Sequence, residues 1–98
     1  MIKVKIHDNK IEILGHAMYD DFGKDIVCAG VSSIVTTSVN AILTFNKKYI
    51  SYIQEQDKFI ININEHNEIV DNLITNMINM LKEIEENYPN NIKIRKEN

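Results

Sequence analysis

Apolar residues along this chain switch between a period of two and a helical period, and the order of those switches is the strongest constraint on its fold. Ile2, Val4 and Ile6 alternate with Lys3, Lys5 and His7. Ile11, Ile13 and Gly15 resume the alternation beyond an Asp8-Asn9-Lys10 turn signal, which predicts a β-hairpin. From Asp25 onward, Val27, Val31, Ile34, Val35, Ser38, Ile42 and Phe45 recur at steps of three and four, the signature of a long helix buried along one face. Asp25 is its natural N-cap, and residues 17–24 form the loop before it. Residues 49–53 and 59–63 read as two more strands around a polar turn at 54–58. Cap-like residues at 64–67 precede a second helix, whose apolar stripe is Val70, Leu73, Ile74, Met77, Leu81 and Ile84. Pro89 stops that helix before a short strand at 92–94. The order is ββαββαβ. Hairpins with two helices laid on one face predict an α+β sandwich built on a small, mostly antiparallel sheet.

At 98 residues the expectation is a single domain over 1–98 with little stability to spare. A formal net charge of -3 argues against a chain that holds nucleic acid mainly by neutralising phosphates, so no direct nucleic-acid partner is expected. Cys28 is the only cysteine, which excludes an intrachain disulfide and a cysteine-cluster zinc site and suits a reduced, cytoplasmic setting. The alternating start is unlike the apolar core of a signal peptide, and no run reads as membrane-spanning, so neither export nor insertion is expected. His7 and His66 have no partner at ligand spacing and are assigned to no metal. The acidic group Glu83, Glu85 and Glu86 reads as a solvated helix face, and Lys93, Arg95 and Lys96 as the protection of an edge strand or a contact for an acidic or RNA-bearing partner.

One stretch departs from what a packed core requires. It runs from Gly15-His16-Ala17 to Gly23-Lys24-Asp25-Ile26-Val27-Cys28-Ala29-Gly30-Val31-Ser32. Cys28 would lie in the first turn of the long helix, where unpaired N–H groups and the helix dipole favour a thiolate. His16, at the end of the second strand, would take the thiol proton and later protonate the leaving amine of a cleaved peptide. N–H groups of the same turn would stabilise an oxyanion. The bland alternatives are a cysteine acting as a small core hydrophobe and a histidine at a strand end. Asp25 is open between two roles, capping the helix and orienting His16 as a third catalytic group. Ser32, one turn beyond Cys28, either supports the sulfur and substrate or simply packs. Gly15, Gly23 and Gly30 permit close approach or loop motion.

The residues Gly15-His16-Ala17, Gly23, Asp25-Ile26-Val27-Cys28-Ala29 and Val31-Ser32, with a spacing of twelve from His16 to Cys28, resemble the ribosomal-processing cysteine protease family, Prp. The resemblance implies a homodimeric, cofactor-independent endopeptidase. Its substrate would be the N-terminal extension of a large-subunit ribosomal protein, the twenty-seventh of that series, cut after paired aromatic residues. It implies Cys28 as nucleophile and His16 as general base, with Asp25 and Ser32 in support, and Gly15, Ala17 and Gly23 beside the substrate. The loop over 17–24 would be a mobile cover, and Met18 departs from a glycine common among relatives. The competing expectations are a noncatalytic ribosome-assembly module and a hydrolase acting on another acyl substrate.

Overall fold

The computed structural model describes residues 1–15 and 22–97, with residues 22–25 described by backbone alone. Its elements follow the expected order: β1 (Ile2–Ile6), β2 (Lys10–Leu14), α1 (Phe22–Phe45), β3 (Ile50–Glu55), β4 (Lys58–Ile63), α2 (Glu68–Asn87) and β5 (Ile92–Lys96). The strands make one sheet in the order β3-β4-β2-β1-β5, antiparallel throughout except for the parallel pair β1–β5. The architecture is α+β, as the periodicity predicts.

Period-two alternation sends one set of side chains to the helices. Ile2, Val4, Ile11, Ile13, Ile50, Ile61, Ile63 and Ile92 are buried there, against Val27, Val31, Val35, Val39 and Ile42 of α1 and Val70, Ile74, Met77 and Leu81 of α2. The alternate residues, among them Lys3, Lys93 and Arg95, are exposed on the opposite face of the sheet. Where α1 meets α2, a Cβ on Gly30 would stand 3.2 Å from Ile84 Cδ1. Gly30 therefore serves close helix packing rather than loop motion.

Several boundaries differ from expectation. Helix α1 begins at Phe22, three residues before Asp25, so Asp25 is its fourth residue and not its N-cap, and residues 22–24 are helical rather than loop. The apolar period starts only at Val27 and carries no information about where backbone hydrogen bonding starts. Asp also suits a first turn, where its charge complements the dipole. Phe45, expected on the buried face, is 61% exposed at the far end of α1. The β3–β4 turn is confined to Gln56 and Asp57, because the strands pair as far as Glu55 and Lys58. The stretch Ile26–Phe45 is, contrary to expectation, long and apolar enough by length and composition to cross a membrane. Its valine stripe instead packs on the sheet.

Helix α2 is held at its start by two devices. Asn67 Oδ1 accepts from the Val70 N–H at 2.9 Å, the N-cap bond anticipated from the residues at 64–67. His66 clamps α2 to the β1–β2 turn, with Nδ1 2.7 Å from Asp71 Oδ1 and Nε2 2.9 Å from the Asp8 carbonyl and 2.8 Å from Asn9 Oδ1. All three partners accept, so only the doubly protonated ring satisfies them together. The hydrogen bond to Asp71 raises the His66 pKa above its ordinary value, against a smaller opposing effect of desolvation. A raised folded-state value means that this stabilisation is complete below the unfolded value of about 6.5 and is lost as pH rises through the folded one. Thermal melts across pH 5.5–8.5 are expected to show a decline as pH rises beyond about 6.5 that is absent in His66→Gln.

Candidate active site

Gly15, directly after β2, has φ +80°, a left-handed conformation, and a Cβ there would lie 2.6 Å from the Met1 carbonyl oxygen. Both conditions select glycine. Its N–H donates to the Asp57 carbonyl at 2.8 Å and so ties the end of β2 to the β3–β4 turn.

Cys28 is a free, half-buried thiol packed against the core on α1. Because α1 begins at Phe22, Cys28 sits in the second helical turn and not the first. The unpaired N–H groups of the helix start belong to the residues before it. The expected first-turn oxyanion contact and dipole effect at Cys28 therefore lose their basis, since the dipole acts mainly over the first turn.

Cys28 lines a cavity of about 120 Å³ together with Gly15, Ser32, Ile13 and the β3–β4 turn. Three expected site residues, Gly15, Cys28 and Ser32, thus meet at one place. His16 and Ala17 lie outside the described residues, as do Tyr19, Asp20 and the side chain of Asp25. Gly23 is placed on the first turn of α1. Among the described residues no group of three His, Cys, Asp or Glu side chains comes together to hold a metal ion.

The Cys28 cavity continues into two more that share its walls. Ser32, Val31, Gln54 and Phe59 border the second, and Thr36, Gln54 and Phe59 carry the surface on to Asn40 and Tyr52. The result is a groove between α1 and the β3–β4 hairpin. From Cys28 to Asn40 it spans roughly 18 Å at 1.5 Å per helical residue, the length of about five residues of extended chain. On its hairpin wall the Tyr52 and Phe59 rings stack at 5.4 Å, nearly parallel.

A family model described as "Cysteine protease Prp" matches residues 1–93. The chain is 37% identical over 83 residues to the Ribosomal processing cysteine protease Prp of Staphylococcus aureus, covering 82% of this chain and 78% of the relative. This chain belongs to the Prp family of cysteine proteases. Two structures of the S. aureus Prp share the fold at a TM-score of 0.89. One, with a covalently linked product peptide, is 30% identical, and the other, with a substrate peptide, is 29% identical. Each aligns over 99% of this chain and the whole of the other.

Prp membership makes this chain a cysteine protease, and Cys28 is its sole cysteine. The groove wall supplied by Tyr52, Gln54, Asp57 and Phe59 was invisible to the reading of the sequence. Those residues carried only a strand alternation and a turn signal, and the sheet order that sets β4 beside β2 is not written in either.

Proposed function

We propose that this chain is an endopeptidase that removes an N-terminal extension from a large-subunit ribosomal protein, with Cys28 as nucleophile and His16 as general base. The observation that carries the reading is the placement of the sole thiol at the head of a groove of peptide length. His16 directly follows Gly15 in the sequence, and Gly15 borders the same cavity as Cys28. The S. aureus relative with its peptide-bound structures supplies the substrate class.

In this mechanism His16 takes the thiol proton and the Cys28 sulfur attacks the scissile carbonyl. The tetrahedral intermediate collapses to a thioester as His16 passes its proton to the departing amine. Water, deprotonated by the same imidazole, then releases the acid and restores the thiol. Asp25, no longer needed as a cap, is assigned to orienting His16, and Ser32 to the substrate or the sulfur. Ala17 and Gly23 belong to the segment flanking the bound peptide. The enzyme would act in the cytoplasm as a homodimer without a cofactor.

Incubation with a synthetic peptide spanning the extension and its junction should yield one pair of fragments by mass spectrometry. No cleavage of that peptide, alongside tight binding of it, would favour the ribosome-assembly module. Cleavage of simple thioesters or esters in preference to the peptide would favour the other acyl hydrolase.

A further inference from the structure

Strands β1 and β5 run parallel with Lys3 beside Lys93 and Lys5 beside Arg95. All four side chains lie on the sheet face away from the helices, where Lys3, Lys93 and Arg95 are exposed and Lys5 is half-exposed. Neighbouring strands stand about 4.8 Å apart and alternate residues about 6.6 Å apart. The cations therefore form a compact rectangle over a cavity of about 310 Å³, which Met1 and Glu97 also border.

Like charges directly across strands are destabilising, and among the described residues none of the four forms an ion pair. Glu12 stands opposite Lys5 on β2, where it lies 2.7 Å from His7 Nε2 and also feels the Lys5 charge without forming an ion pair with it. Glu97 is the other acid at the rim. Protection of a sheet edge explains basic residues on β5, which is an edge strand. It does not explain Lys3 and Lys5, because β1 lies inside the sheet between β2 and β5.

We infer that this rectangle is a docking surface for the phosphate backbone of RNA. Charge complementarity carries it: the overall charge of -3, which argued against a nucleic-acid partner, hides the concentration of four cations on this one face. No aromatic side chain borders the cavity to stack a base, so recognition is of phosphates and independent of sequence. The surface lies on the side of the sheet opposite α1, so RNA and a peptide in the groove are compatible. It stands whether or not the peptidase reading holds.

Fluorescence anisotropy with a labelled twelve-nucleotide polyuridine tests it. With four phosphate contacts on a single strand, the slope of log affinity against log salt should be about -2.8, an affinity loss of roughly 50-fold between 50 and 200 mM. Lys5→Gln with Arg95→Gln should halve that slope, and so should Lys3→Gln with Lys93→Gln. Each pair relieves a like-charge contact, and its circular dichroism spectrum should match the wild type. Absence of binding at 50 mM salt, or a slope untouched by both double variants, overturns the inference. Competition by polyglutamate as strong as that by polyuridine also overturns it, in favour of an acidic polypeptide.

Discussion

Cys28→Ala is expected to lower the rate of extension-peptide cleavage by at least ~10⁴-fold, the order seen when the nucleophile of a covalent peptidase is removed. Stability should change little, because the thiol is only half-buried and alanine suits a helix interior. Groove binding should persist, so peptide affinity measured by calorimetry is expected to stay within a few-fold of wild type. That combination separates loss of chemistry from loss of structure. A variant that retains cleavage would remove Cys28 from the mechanism.

Gly15→Ala is expected to be the most damaging conservative substitution outside the core. A left-handed backbone costs an alanine about 1–2 kcal/mol. The added Cβ would also meet the Met1 carbonyl oxygen at 2.6 Å, a backbone atom that yields only if β1 moves. Together these cost about 2–5 kcal/mol, with overpacking alone contributing about 1–3. For a chain of this size that lowers Tm by roughly 10–40 °C. Activity should fall as well, since the same residue anchors β2 to the β3–β4 turn beside Cys28. Gly30→Ala is the matched control. Its Cβ meets only the tip of the Ile84 side chain at 3.2 Å, and helix propensity favours alanine by about 1 kcal/mol. Melts in which Gly15→Ala is no less stable than Gly30→Ala would contradict this account of Gly15.

The fold was largely legible because burial imposes a period, and the period is written in residues such as Ile2, Val4 and Ile6 or Val70, Ile74 and Met77. The start of α2 was legible for a chemical reason, since Asn67 carries the side-chain oxygen that the Val70 N–H needs. The start of α1 was not. Phe22 to Asp25 precede the apolar stripe, and the cap preference of aspartate pointed to Asp25 when the helix had already begun. Phe45 was misjudged because periodicity says which face a residue occupies, not whether anything lies beneath that face at the helix end. In the candidate site, Cys28 and Ser32 share a helix face as their spacing suggested, whereas Gly15 reaches the same cavity only through the tertiary fold. The facing wall depends on β4 pairing with β2, a contact between residues such as Ile13 and Phe59 that no local pattern encodes. The paired cations of β1 and β5 escaped for the same reason, since Lys3 and Lys93 become neighbours only through parallel pairing of the two ends of the chain.

The central claim is that His16 activates Cys28 for attack on a peptide carbonyl. The most direct measurement is the rate of covalent labelling by a chloromethyl ketone built on the extension sequence, followed by intact mass and peptide mapping. A single adduct on Cys28 is expected, formed at least ~100-fold more slowly in His16→Ala, as for loss of a general base. Labelling at an unchanged rate in His16→Ala, or no adduct on Cys28 in the wild-type protein, would contradict it.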